Sequence, residues 1–306
     1  MIPEVNNIGP VDIVYTWVNG EDPDYIQLCR KYAEKPEEIN PERYRDTYQF
    51  LKYSIRSVEK FAPWVRNIII VTARPQVPQW LKIEHPKIRI VHHDEIIDQE
   101  YLPTFNYNTI ESFIYKIPEL SEHYIYMCDD FLFGNQVKRS DFYHDNKITI
   151  FGTLLGENLP FRIYERKNDI ISLGLIEHNP IFYRKTYVNE LQEHFKEQFH
   201  ETRSSKFRAN DNITMQKAYK YYMLKHQKEF SRPINIFDLK RIHTFHKIKN
   251  NLNKQIKQLD KLENKRPKFY CLNDDQRENP NPDVVKLVKE FLERSYPEKS
   301  SFERVK

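Results

Sequence analysis

The sequence predicts an α/β fold in which a mostly parallel central sheet is flanked by helices. Short runs rich in β-branched and aromatic residues read as buried strands at 11–18 (VDIVYTWV), 65–71, 88–92 and from Tyr124 onward. An amphipathic helix lies between the first two, with Leu51, Ile55, Val58 and Ala62 at steps of four, three and four before Pro63 stops it. Strand, helix, strand at this spacing is the βαβ unit of a parallel sheet.

The first strand ends at Asn19-Gly20, a turn signal. In a nucleotide-binding α/β domain the loop after the first strand commonly meets the nucleotide. Trp17, Asn19 and Asp22 are therefore candidates to contact a base or ribose, against core packing for Trp17 and turn chemistry for Asn19. Arg45 and Arg56, before and on the first long helix, are candidates to reach a phosphate or else are solvated. Residues 102–108 introduce a second helix with Ile110, Phe113, Ile114 and Ile117 on its apolar face. Glu111, three residues after Asn108, fits a capping box.

The stretch 124–134 (YIYMCDDFLFG) organises the rest. A buried strand runs out of apolar residues at Asp129 and Asp130, then resumes with Phe131, Leu132 and Phe133. Carboxylates are rarely buried unless paired or metal-bound. The carboxyl end of a strand is also where an open α/β sheet places its ligand. A strand-end turn capped by one of the acids is the alternative.

Residues 138–169 read as strands and loops forming a wall of a cleft. A strand at 171–176 ends at Glu177-His178-Asn179-Pro180, a poor place for core packing and a reasonable one for a histidine aimed into a cleft. One helix follows with Val188, Leu191, Phe195 and Phe199, then the basic segment 203–212 and a helix with Met215, Ala218, Tyr219 and Tyr222. Arg208, beside the start of that helix, opposes the macrodipole, which points to a bound anion or to a salt bridge with Asp211. The Lys-rich 247–265 segment reads as an exposed helix or hairpin, a docking surface or a solvated face. Residues 269–275 repeat the theme of a strand followed by acids, and Pro282 opens a last helix with Val284, Leu287, Val288 and Phe291 facing inward. No internal repeat and no Gly/Ser-rich linker divides the chain, so a single domain over 1–306 is expected.

Composition bounds the function classes. With 20 Tyr, 19 Phe and only 6 Gly the chain is a well-packed globular protein. A net charge of +4 from mixed signs argues for a solvated surface and against a nucleic-acid groove, and suits an anionic substrate. Cys29, Cys128 and Cys271 are odd in number and lack CxxC spacing, so no disulfide framework is expected and a reducing compartment fits. The first ten residues have no signal-peptide pattern, and no apolar run nears the roughly 18 residues needed to span a bilayer. A cytoplasmic chain is expected, with any contact to the inner face of the membrane peripheral.

Taken together, the motifs resemble the Stealth family, which includes bacterial capsular polysaccharide phosphotransferases and the catalytic subunit of animal GlcNAc-1-phosphotransferase. The resemblance rests on four regions in order: 11–20 with its WVNG string, 43–134 with KFAPWVRNI, 177–224, and 268–303 with KFYCLNDDQ. Val11 stands where Ile is usual, and the large insertions of the animal enzyme are missing, as in the compact bacterial form. The resemblance implies a Rossmann-like, glycosyltransferase-A-like sheet with helical additions in the C-terminal half. It implies transfer of hexose(NAc)-1-phosphate from a UDP-HexNAc donor to a hydroxyl of a saccharide acceptor, with release of UMP, in capsular or surface polysaccharide synthesis. The family's catalytic positions fall on Glu111, Asp130, His178 and Arg208. His178 is then a base for the acceptor hydroxyl with Asp130 competing, Arg208 a fork for phosphate oxygens, and Glu111 an orienting acid. Mg²⁺ (or Mn²⁺) is the expected cofactor, with Asp129, Asp130, Asn273 and Asp274 as candidate ligands. Two alternatives stand beside this reading: a metal-dependent glycosyltransferase releasing UDP, and a non-catalytic subunit of a capsule complex docking through 247–265.

Overall fold

The computed structural model describes residues 8–39, 45–154, 163–166, 169–172 and 178–304. In chain order its main elements are β1 (Val11–Thr16), α1 (Pro23–Tyr32), α2 (Phe50–Phe61), β2 (Ile68–Thr72), β3 (Ile88–His92), α3 (Tyr107–Phe113), β4 (His123–Cys128) and β5 (Phe131–Phe133). They continue as β6 (Ile181–Arg184), α4 (Lys185–His194), α5 (Lys196–Ser204), α6 (Met215–His226), β7 (His243–Ile248), α7 (Leu252–Lys265), β8 (Phe269–Asp274) and α8 (Pro282–Ser295).

The central sheet has the order β6-β4-β1-β2-β3. Its last four strands are parallel, and β6 runs antiparallel to β4 at the edge. All of β2 is buried, and every residue of β1 and β4 except the last is buried as well, as continuous apolar runs require when both faces are covered. This is the Rossmann-like α/β fold expected from the sequence. The register pairs Thr16 with Cys128, so the carboxyl ends of β1 and β4 open at the same level.

After β4 the chain leaves this sheet. Asp129 and Asp130 form a turn, and β5 joins a second sheet of order β7-β8-β5, in which β7 and β8 are parallel and β5 antiparallel. Helix α2 lies against both layers. Ser54 Oγ shares a hydrogen bond of 2.8 Å with Tyr15 Oη of the central sheet and also bonds the Phe131 carbonyl, while Phe133 N donates to Ser57 Oγ at 3.0 Å. Helices α7 and α8 close the second sheet over Leu132, Ile248, Leu259, Val288 and Phe291.

Several expectations need correction. The helix foreseen over Val188 to Phe199 is two helices, α4 and α5, which break at Phe195. The 247–265 segment is less exposed than predicted: Lys247 and Ile248 end β7, and α7 buries Gln255, Leu259 and Leu262 beneath it. Arg56 is neither solvated nor free for a phosphate. Its guanidinium grips Glu303 through Nε at 2.7 Å and Nη2 at 2.9 Å and donates to the Tyr296 carbonyl, with its side chain only 5% exposed. That pair ties the C-terminal segment to α2. The strand foreseen at 171–176 is seen as Asp169–Ser172, and 173–177, including Glu177, lie outside the described residues.

Candidate active site

The turn between the two sheets is where acids collect without a cationic partner among the described residues. Asp129 Oδ1 accepts from Asp130 N at 3.1 Å, and Asp130 Oδ2 accepts from Cys271 Sγ at 3.1 Å and from Asn273 Nδ2 at 3.4 Å. Among the described residues neither carboxylate forms an ion pair. Both carboxyls are raised, Asp129 to about 8. Burial is the main cause for each, and for Asp129 the adjacent Asp130 charge adds to it. Asp46 is a third acid of this group: its charge also raises Asp129, and its own value is pushed up to about 6 by burial, with the Trp17 indole pulling the other way.

His178 meets this turn from the other side. The antiparallel register pairs Ile181 with Tyr126, and continued three residues it would set His178 opposite Asp129. One atom each of Asp130, His178 and Cys271 lie within 4.8 Å of one another. The His178 backbone has φ +59°, a left-handed conformation that is costly outside glycine and persists only where the surroundings fix it. The fixing groups are present. His243 Nε2 pairs with the His178 carbonyl at 2.9 Å, and Phe245 stacks on the imidazole with 4.5 Å between ring centroids. Among the described residues the His178 ring nitrogens have no hydrogen-bond partner, so the imidazole is held by its backbone and face while its edge stays open.

Beside the acid pair a cleft opens at the carboxyl ends of β1, β2 and β4. Trp17, Tyr25, Phe105, Tyr107, Arg45 and Asp129 are among its walls. The loop before α3 and the 203–212 segment build its rim together. Phe105 N donates to the Lys206 carbonyl at 2.8 Å, Phe105 stacks on Phe207 at 4.9 Å, and Asn106 Nδ2 donates to Asn212 Oδ1 at 2.7 Å. Arg208 is thereby carried to the rim, exposed, with its guanidinium 5.2 Å from the Tyr107 ring centroid. Of the two explanations offered for it from the sequence, the salt bridge is not formed, and a bound anion would have to be held by the cleft and not by the helix dipole. Among the described residues it makes no ion pair with Asp211, and α6 starts at Met215, too far along the chain for its dipole to matter.

Glu111 is placed differently from the other three. It is 2% exposed on α3, where its Oε1 accepts from Tyr183 Oη at 2.9 Å and its Oε2 from Gln216 Nε2 at 3.4 Å. Burial pushes its carboxyl up to about 7. The capping-box expectation is overturned, because Asn106 caps α3 by accepting from Asn108 N while Glu111 turns into the protein. Its partner Tyr183 lies on β6, the strand that follows His178.

The remaining candidates sort by partner. Arg45 lines the cleft but holds Asp274 at 2.8 Å, and the other Asp274 oxygen accepts from Gln276 N, so Asp274 serves as a counterion and is not free to hold a metal. Asn273 touches the acid pair itself. Asn19 Oδ1 accepts from Glu21 N, and Asp22 caps α1 by accepting from Asp24 N and Tyr25 N, so both shape the loop. Trp17, 8% exposed, is part core and part cleft wall. Sequence reasoning missed Asp46 and Cys271. Asp46 reads as a lead-in to α2 and Cys271 as core of a buried strand, and nothing local in the sequence signals either.

Comparison with known proteins follows the same map. Models of Stealth protein conserved regions 1, 2, 3 and 4 match residues 9–36, 43–151, 177–225 and 260–306. The chain is 31% identical to the capsular polysaccharide phosphotransferase WcwK of Streptococcus pneumoniae, over 98% of this chain and 100% of that protein. It is 32% identical to the capsular polysaccharide phosphotransferase fcs1 of Haemophilus influenzae, over 88% of this chain and 79% of that one. It is also 32% identical to the exopolysaccharide phosphotransferase CpsY of Mycobacterium tuberculosis, over 96% of this chain, which spans only 58% of CpsY. The four matched regions carry the acid pair, His178, Arg208 and the cleft, and by them the chain belongs to the Stealth protein family.

Proposed function

We propose that this protein is a phosphotransferase of capsular or surface polysaccharide synthesis, moving hexose(NAc)-1-phosphate from a UDP-sugar to a saccharide hydroxyl and releasing UMP. The observation that carries the reading is the Asp129-Asp130 turn, a pair of acids without a cationic side chain among the described residues, with Asp129 on the wall of an aromatic cleft and Asp130 beside an open-edged histidine.

In the proposed reaction the acceptor oxygen attacks the β-phosphorus, the bond to the oxygen bridging the two phosphorus atoms breaks, and UMP departs with that oxygen. Negative charge spreads over phosphoryl oxygens, so positioning and charge stabilisation do most of the work. His178, held by Phe245 and His243, takes the hydroxyl proton at a free ring nitrogen. Arg208 offers its planar fork to phosphate oxygens from the rim. Trp17, Tyr25, Phe105 and Tyr107 supply faces for the uracil and ribose. Glu111, sealed from the cleft, acts through Tyr183 as a positioning residue for the strand that follows His178.

The oxygen donors of Asp129 and Asp130 fit a hard divalent cation such as Mg²⁺ (or Mn²⁺), and burial beside a like acid raises both carboxyls, a cost that a bound cation would offset. When bound, that ion would neutralise diphosphate charge. The test is incubation with a panel of UDP-HexNAc donors, Mg²⁺ and a short capsule oligosaccharide, with UMP and UDP quantified separately. UMP with a phosphodiester in the product is expected. UDP as the nucleotide product would replace this reading with a glycosyltransferase.

A further inference from the structure

We propose that Asp130, His178 and Cys271 form a binding site for a borderline-soft divalent cation, Zn²⁺ above all, and that its occupation shuts the active site down. The three residues come from separate places: the turn after β4, the left-handed corner before β6, and the middle of β8. Each offers one ligand atom, and these lie within 4.8 Å of one another. Tetrahedral ligands around zinc sit about 3.3–3.8 Å apart, as follows from bond lengths of roughly 2.0–2.3 Å. Cys271 Sγ and Asp130 Oδ2 already stand 3.1 Å apart. Opening that contact slightly and drawing the histidine ring in by about 1 Å therefore completes the set.

The donor chemistry decides the metal. One sulfur, one imidazole nitrogen and one carboxylate oxygen are a poor set for Mg²⁺, which wants oxygens in a near-ideal octahedron. The same set matches zinc sites with three protein ligands and an open fourth position. The His178 ring nitrogens are without partners among the described residues. The Cys271 thiol spends its proton on Asp130. Binding displaces that proton to solvent, leaving thiolate, imidazole and carboxylate on the cation. Held this way, His178 cannot accept a proton and Asp130 is withdrawn from the diphosphate. Cys271 is the most selective element, because its thiolate is the softest of the three donors; the His178 imidazole also favours zinc over the hard cation expected at the neighbouring carboxylates, and only the Asp130 carboxylate suits both.

The binding half of the proposal stands apart from the proposed reaction; only the inhibition half rests on it. The metal-free chain is titrated with Co²⁺ and followed by absorption, and the bound cobalt is then displaced with Zn²⁺. One equivalent per chain is expected, with a thiolate-to-cobalt charge-transfer band in the near ultraviolet. Cys271→Ser, which keeps a donor to Asp130, loses that band and weakens Zn²⁺ by more than the roughly 10–100-fold typical of losing an outer-shell partner. His178→Asn keeps the charge-transfer band but changes the visible cobalt bands. Cys128→Ser leaves both unchanged. No charge-transfer band in the parent chain, or its loss in Cys128→Ser with retention in Cys271→Ser, overturns the site. In the turnover assay with Mg²⁺, one equivalent of Zn²⁺ abolishes UMP release in the parent chain, a chelator restores it, and Cys271→Ser resists. Full turnover with zinc bound overturns the inhibition. A chain that binds zinc as described yet never releases UMP faults the proposed function and leaves the site standing.

Discussion

The two ends of the central sheet treat a carboxylate in opposite ways. At the amino end of β1, Asp12 is fully buried and fully answered. Arg66 grips it at 2.8 and 2.6 Å, and Ser121 N adds a third bond at 2.9 Å. At the carboxyl end, Asp129 and Asp130 sit side by side with a thiol, an amide and backbone for company and no cation among the described residues. A buried charge that is paired holds the structure together; a pair of like charges left open costs stability and is kept for something else. The same residue type thus does structural work at one end of the sheet and, in the proposed function, supports chemistry at the other.

The contrast predicts opposite outcomes for similar substitutions. Asp130→Asn is expected to lower UMP release by about 10³-fold, or ~4 kcal/mol, because it removes a group at the reacting centre. Its melting temperature should match or exceed the parent's, since a buried carboxyl whose charged form burial disfavours is gone; a large drop on melting would make Asp130 a structural acid like Asp12. Asp12→Ala is expected to cost about 2–3 kcal/mol in denaturant unfolding, less than a wholly buried pair would, because the Arg66 side chain is 37% exposed and regains water. Turnover per folded molecule should be unchanged there, and a specific loss of rate would erase the distinction between the two ends. Arg208→Lys should lower the rate about 30-fold, or ~2 kcal/mol, since a point charge does not replace a bidentate fork. Parental activity in that variant would remove Arg208 from the phosphates.

The smallest effect tests Glu111. Its carboxyl sits near 7 in the folded chain against an ordinary value of 4.5, so the native state keeps a proton that the unfolded state gives up. The stability this contributes is complete below about pH 4.5 and is lost as pH rises to about 7. Glu111→Gln carries no titrating proton and should flatten this part of the pH–stability curve, a difference of about 1–3 kcal/mol between pH 5 and pH 8 in denaturant melts. Parallel curves for the two proteins would mean that Glu111 is charged in the fold.

What the sequence made legible follows from where the interactions lie along the chain. Strands β1, β2, β3 and β4 are continuous apolar runs, and α2 and α8 repeat their apolar residues at helical spacing, so local pattern suffices. The acid pair was legible for the same reason, as the break in such a run. The departure of Phe131–Phe133 to another sheet was not, because local periodicity does not say which partner a strand takes. Local spacing reads Glu111 as a cap because Asn106 and Asn108 offer the same capping chemistry two residues apart, while its partners in the fold, Tyr183 and Gln216, are 72 and 105 residues away. Arg56 answers a glutamate 247 residues on. His178 and Arg208 stand out locally, by a strand end before a proline and by the approach to a helix; their roles come from the family resemblance, and the structure adds how each is held.

The central claim, that phosphorus and not sugar alone is transferred at the open end of the sheet, is tested most directly by following the donor's β-phosphate. With the β-phosphorus of the UDP-sugar radiolabelled, the label should pass into the saccharide product and leave unlabelled UMP. Label retained in UDP, with none in the saccharide, would contradict the account.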